Sequence, residues 1–164
     1  MTNFDTVLAS QIEAPLDLTN KTVDEALAER CATNKMWHIL FETEAEMKKM
    51  PQCNSSVTHR FTPGMYIREC FMPKTSLVIS QIHKTEHPFT ISHGACMVWT
   101  LEDGVKLYKA PHTGITKPGT KRLLVMLEDT IWTTYHPTTL TNVEQIESEI
   151  LFHPDVKQLS EDTL

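Results

Sequence analysis

The sequence predicts a mainly β domain, a jelly-roll barrel with helices before and after it, and three observations carry that expectation. From residue 61 onward the chain breaks into short apolar runs of period two, each bounded by Pro, Gly or polar clusters. Ahead of that region stand two Thr-x-x-Glu boxes, Thr22–Glu25 and Thr43–Glu46, each a helix-start signal. After Pro137, Val143, Ile146 and Ile150 recur at helical spacing.

Taken in order, the Thr22 box opens a helix over about 22–33, with Val23, Leu27 and Cys31 on one face. The Thr43 box opens a short second helix with Met47 and Met50 on one side, ended by Pro51. Trp37, Ile39 and Phe41 fall between these helices and are expected to pack on the next layer. Strands are expected near 65–71, 76–83, 88–93, 95–101, 105–109, 113–116, 121–127 and 131–136, with Asp103-Gly104 as a hairpin turn. A terminal helix runs to about residue 151, and the last ten residues are expected to fray. The organisation is therefore 1–60 as an N-terminal helical segment packed on the barrel, 61–140 as the barrel, and 141–164 as the C-terminal helix and tail.

At 164 residues, 40% hydrophobic and 22% charged, the chain suits one packed core. Its net charge of -6, with basic residues clustered only in pairs such as Lys48-Lys49 and Lys121-Arg122, argues against a nucleic-acid partner. The first thirty residues lack an export-signal pattern, and apolar stretches such as Met36–Phe41 and Leu123–Leu127 are too short to span a bilayer, so a cytoplasmic protein without a membrane partner is expected. Cys31, Cys53, Cys70 and Cys96 form no CxxC pair and are expected to be reduced, small apolar residues of a cytosolic protein. Neither a GxSxG elbow nor a glycine-rich phosphate loop occurs.

Candidate chemistry lies on the second expected strand, where alternation puts Leu77, Ile79, Gln81 and His83 on one face. A face that turns from Leu/Ile to Gln/His marks the open end of a small barrel, where ligands bind. On the first strand Tyr66 and Arg68 share a face, and on the last Trp132 and Thr134 alternate with His136.

This pattern resembles the cupin superfamily, whose first motif reads GxxxxxHxHxxxE(x6)G. Gln81-x-His83-xxx-His87-(x6)-Gly94 keeps that spacing, with Gln81 at the first His position and His87 at the Glu position. Of the second motif, GxxxxxPxGxxHxxxN, Lys117-Pro118-Gly119 keeps the turn, while Arg122 stands at the His and Met126 at the Asn. Stretches such as Tyr66–Glu69, Ile82–His87, Leu101–Val105, Pro118–Arg122 and Glu128–Thr134 with His136 are similar to small cupin-like proteins of tailed bacteriophages. The resemblance covers roughly 61–136 and implies a double-stranded β-helix barrel, a phage origin with residence in the bacterial host cytoplasm, and a homo-oligomer paired through edge strands.

The barrel mouth then has two uses, the first implied by the resemblance and the second by the chemistry of the residues themselves. In one, His83 and His87 ligate a divalent Fe, Mn, Ni or Zn ion, Gln81 adds a weak oxygen ligand and His136 substitutes for a missing one, although the Arg122 cation opposes a metal. In the other, Arg122 with Gln81, His83 and His87 takes a carboxylate or phosphate, and Tyr66 and Arg68 add a ring and a second cation unless Arg68 lies outside, paired with Glu69 or Glu128. Trp132 and Trp99 are core fillers or stacking platforms. The functional expectation is capture of a small anionic metabolite or nucleotide-like signal, against two alternatives: a metal-dependent enzyme (isomerase, dioxygenase or lyase), and a protein-binding module acting on a host factor through the N-terminal helices.

Overall fold

The computed structural model describes residues 15–100 and 103–154; the expected frayed tail, residue 101 at the end of one expected strand, and residue 102 lie outside the described residues. Helix α1 (Val23–Thr33) starts as its sequence implies, with the Thr22 hydroxyl accepting from the Glu25 backbone N–H and the Glu25 carboxylate accepting from the Thr22 N–H. Helix α2 (Lys35–Met47) departs from expectation. It begins eight residues before Thr43, because the Asn34 side chain caps it by accepting from Met36 N (2.9 Å) and Trp37 N (3.2 Å). Trp37 and Leu40 then form its buried face, and Thr43 sits inside the helix, its hydroxyl donating to the Ile39 carbonyl one turn back. The Thr43 box is thus no helix start, and Trp37, Ile39 and Phe41 are helical residues.

Strands follow as β1 (Ser56–Thr62), β2 (Met65–Met72), β3 (Leu77–Ile79), β4 (Ile82–His83), β5 (His87–His93), β6 (Ala95–Thr100), β7 (Gly104–Lys109), β8 (His112–Thr116), β9 (Leu123–Met126) and β10 (Thr130–Pro137). Helix α3 (Val143–Ile150), capped by the Asn142 side chain, leads into β11 (Leu151–Phe152). The strand β1 starts inside the segment expected to be helical and pairs with β2 along its whole length. All seven of its residues are exposed, so it lacks the one-sided alternation by which a strand is read.

Every ladder is antiparallel. One sheet has the order β1-β2-β10-β5-β8, the other β3-β9-β6-β7, and β4 pairs with β11 at one end. The two sheets close as a mainly β jelly-roll barrel around Met72, Phe89, Ile91, Cys96, Val98, Leu124, Met126 and Trp132.

The long strand expected over 76–83 is broken in two, and its facing is corrected accordingly. Leu77 is 42% exposed, while Val78 packs on the core. At the break the Ser80 N–H donates to the Arg122 carbonyl and its hydroxyl accepts from the Arg122 N–H, both at 2.9 Å, so Ser80 side-chain bonding replaces ladder pairing. The chain then re-enters as β4, with Ile82 buried among Leu27, Cys31 and Trp37 of the helices.

The helices are keyed to the barrel at the turn before Arg122. Gly119 has φ +79°, a conformation costly for any residue with a Cβ, and an added Cβ would lie 2.9 Å from Leu27 Cδ2. Beside it, the buried Lys121 ammonium reaches the Glu44 carboxylate of α2 at 2.9 Å and the Ser80 carbonyl at 3.2 Å. Gly64 shares a positive φ of +77° but has nothing within 4 Å. Gly64→Ala is therefore expected to cost about 1–2 kcal/mol of backbone strain, and Gly119→Ala on the order of 1 kcal/mol more from overpacking. Urea unfolding of the two variants checks this ranking, and equal losses would contradict the keying.

Candidate functional site

Three elements distant in sequence bring imidazoles together. His83 ends β4, His87 begins β5 and His136 lies near the end of β10, the sheet neighbour of β5. Their candidate ligand nitrogens all lie within 4.8 Å of one another. The ring centroids are 4.3 Å apart for His83–His87, 4.4 Å for His87–His136 and 5.2 Å for His83–His136.

Hydrogen bonds fix part of their protonation. His87 Nδ1 lies 3.1 Å from the Thr85 carbonyl, which can only accept, so Nδ1 carries the proton and Nε2 keeps its lone pair. His136 Nε2 contacts the Thr134 hydroxyl at 3.0 Å, and its Nδ1 is buried without a hydrogen-bond partner among the described residues. Burial, then His87, His136, Arg68 and Arg122 in turn, pushes the His83 pKa down to about 2. Burial with His87 and Arg68 pushes His136 down to about 3. Burial also lowers His87, opposed in part by its bond to Thr85. At neutral pH all three are uncharged, the form that ligates metals.

A cavity of about 270 Å³ opens against this cluster, and Tyr66, Arg68, Gln81, His83, His87, Arg122, Trp132 and Thr134 all line it. His136 is buried behind His83 and His87 and packs its ring against Tyr66 at 5.9 Å. The Arg122 side chain is buried, donates from Nη2 to the Thr116 hydroxyl at 3.0 Å, and rests over the rings of Phe89 (5.4 Å) and Trp132 (5.7 Å). Trp132 stacks on Phe89 at 4.4 Å, so it fills core on one side and lines the cavity on the other. Arg68 faces the cavity, with Nη1 2.6 Å from Cys70 Sγ, while Glu69 pairs with Arg60 instead. Gln81 is exposed at the rim. Glu86 points away, paired with Lys117.

Sequence reasoning missed four participants. Glu147 of α3 and Cys70 of β2 both line the cavity. Burial raises the Cys70 thiol pKa despite the Arg68 guanidinium beside it. His59 of β1 binds the buried Tyr66 hydroxyl at 2.7 Å through Nδ1. Thr85 orients His87. Only Glu147 had a usable signal, since it stands one turn from both Val143 and Ile150 on the apolar side of α3.

The residues present fit a divalent transition metal: three neutral imidazoles converge, one is held in the ligating tautomer and another has a buried nitrogen left over.

No protein-family model matches the sequence, and no curated protein matches it either. Among solved structures, a cupin-2 domain protein from Shewanella frigidimarina is 11% identical and overlaps 58% of this chain and 92% of its own, with a TM-score of 0.43. KdgF from Halomonas is 13% identical over 54% of this chain and 85% of its own, with a TM-score of 0.45. A cupin family protein with a double-stranded β-helix fold from Methanocaldococcus jannaschii is 11% identical over 52% and 82%, with a TM-score of 0.45. Among the described residues no helix is long and apolar enough to cross a membrane.

The imidazoles set a pH dependence. Because the folded pKa values of His83 and His136 lie below the unfolded value near 6.5, the unfolded chain binds more protons at acid pH. Stability is then full above about pH 6.5 and falls as pH drops toward the folded values, by about 2 kcal/mol at pH 5 for each imidazole held neutral. Chelator-treated protein unfolded in urea at pH 7 and pH 5 is expected to show this loss, and His83→Gln to remove much of it.

Proposed function

We propose that the protein holds a divalent transition metal on His83, His87 and His136 and binds a small anionic molecule in the arginine-flanked cavity beside it. The observation that supports this reading is the convergence of three uncharged imidazoles within 4.8 Å, in a cluster without a carboxylate. Such a donor set suits Zn, Fe, Ni or Mn, and a bound ion would supply a Lewis acid to an oxygen of the ligand.

Charge balance argues for the anion. Three neutral ligands leave a divalent ion its full charge, and a guanidinium at a separation of about 6 Å would add a repulsion of about 5 kcal/mol at an effective dielectric near 20. Arg68 and Arg122 line the cavity against one carboxylate, Glu147, so a carboxylate or phosphate bound there offsets the positive charge that remains together with that of the ion. Trp132, Val78 and Leu124 offer apolar wall to a small organic body, and about 270 Å³ limits its size. The chain's own groups bind and orient: Arg68 and Arg122 hold the acid group, Tyr66 faces it with a hydroxyl bonded to His59, and Thr85 keeps the His87 proton on Nδ1.

Metal-free anion binding is the second reading, favoured by the arginine pair alone. A finer version, in which a phage-encoded protein captures a host metabolite, has its support in the phage-like sequence stretches.

Calorimetric titration of chelator-treated protein with Zn²⁺, Ni²⁺ and Mn²⁺ tests the proposal. About one ion per chain is expected, with His136→Ala weakening affinity by roughly 10–100-fold and inorganic phosphate or a small carboxylate tightening it. Arg122→Gln should raise metal affinity without anion and abolish much of the gain when anion is added. Absence of metal binding by wild type would overturn the metal centre, and phosphate binding that needs Arg68 and Arg122 would then favour the second reading.

A further inference from the structure

The charged side chains that line the cavity are Arg68, Arg122 and Glu147. The guanidinium of Arg122 donates to Thr116 and rests over Phe89 and Trp132, and that of Arg68 is turned to Cys70 Sγ at 2.6 Å. Glu147 stands on another wall, on helix α3, whose Ile146 and Ile150 cover Tyr66. Its half-buried side chain makes neither a hydrogen bond nor an ion pair among the described residues. A carboxylate close to a guanidinium ordinarily closes on it, because the bidentate pair is strong. Here the two are near each other and remain apart. Burial chiefly raises the Tyr66 phenol pKa, and Arg68 and Glu147 then act on it with opposite sign, so both charges are felt at that hydroxyl. On the other side, Arg68 and Arg122 both act on His83. The cavity thus has two poles: guanidinium groups beside the imidazoles, and a carboxylate beside Tyr66 that no described residue pairs with.

We propose that the ligand of this cavity is an acid that also carries an amine, its acid group held at Arg68 and Arg122 and its ammonium at Glu147; the inference rests on the acid-binding reading of the same site. A ligand that is only an acid meets the arginines but faces Glu147 as a like charge. A free cation meets one carboxylate opposed by two guanidinium groups, a poor set of partners for a metal ion in particular. A molecule with both charges brings each pole its opposite and leaves neither unpaired. Glu147 is then a specificity-determining residue: it selects the aminated acid over its deaminated counterpart, because a site built to pair a charge rejects the analogue that lacks it. Water reaches the half-buried Glu147 and takes the ammonium N–H groups that the carboxylate does not. The apolar wall of Val78, Leu124 and Trp132 suits the short carbon chain that separates the two groups.

Calorimetric titration of zinc-loaded and of chelator-treated protein compares glycine with acetate, β-alanine with propionate and γ-aminobutyrate with butyrate. For at least one of these chain lengths the amino acid is expected to bind about tenfold more tightly than its deaminated partner, the scale of one charge-assisted hydrogen bond. Glu147→Gln should erase that preference and leave the deaminated acid bound at least as tightly as before, and Glu147→Ala serves the same purpose should the Gln variant fail to fold. Arg122→Gln should weaken both members of each pair alike. Equal affinity within every pair would overturn the inference and leave acid binding in place. A preference that survives the loss of Glu147 would also overturn it, and one confined to the zinc-loaded protein would assign the amine to the metal. Binding of neither series, to either form of the protein, would overturn the inference together with the acid-binding reading beneath it.

Discussion

Placing three imidazoles together, two of them buried and His83 partly so, with two guanidinium groups nearby and no carboxylate among the described residues of the cluster, is the constraint on which the site depends. Cationic imidazoles could not share that space: burial and mutual repulsion hold His83 and His136 neutral far below their usual range. Each neutral imidazole, however, keeps one nitrogen lone pair, and His136 Nδ1 meets no hydrogen-bond partner among the described residues. The nitrogens offer lone pairs to a cation, and the cavity that holds both guanidinium groups is lined by one carboxylate, Glu147.

The surrounding fold holds these groups in place through a few specific contacts. The strand break at Ser80 ties β3 to the Arg122 backbone, which positions the guanidinium over Phe89 and Trp132 instead of letting it reach solvent. One residue earlier, Lys121 points the opposite way and clasps Glu44 of α2, so consecutive cations serve the cavity and the helical layer. The Gly119 N–H donates to the His83 carbonyl at 2.9 Å, linking the turn beneath α1 to a candidate ligand. Displacement of the N-terminal helices would therefore be felt at the cavity.

Much of this was legible in the sequence because it depends on local periodicity and spacing. The barrel strands declared themselves by period-two runs, and His83 and His87 by a spacing that needs no knowledge of topology. What depends on strand order was only partly legible: His136, expected as a substitute ligand, joins the cluster because β10 lies beside β5, forty-odd residues away in sequence, and Arg68 faces inward because it alternates on β2 with the buried Tyr66. The start of α2 was misplaced because Thr43-Glu-Ala-Glu46 satisfies a capping pattern equally well inside a helix, and Asn34 was the stronger cap. β1 was missed because an edge strand exposed on both faces has no apolar alternation to display. The facing of residues 77–79 was inverted because a period-two reading assumes an unbroken strand, and the break at Ser80 answers to a side-chain hydrogen bond with a residue 42 positions on.

Anomalous diffraction at the zinc edge, on crystals of protein loaded with one equivalent of Zn²⁺, tests the three-histidine centre most directly. A single strong peak about 2.0–2.1 Å from one nitrogen each of His83, His87 and His136 is the expected result. A peak elsewhere, or none at this cluster despite stoichiometric zinc in solution, would contradict it.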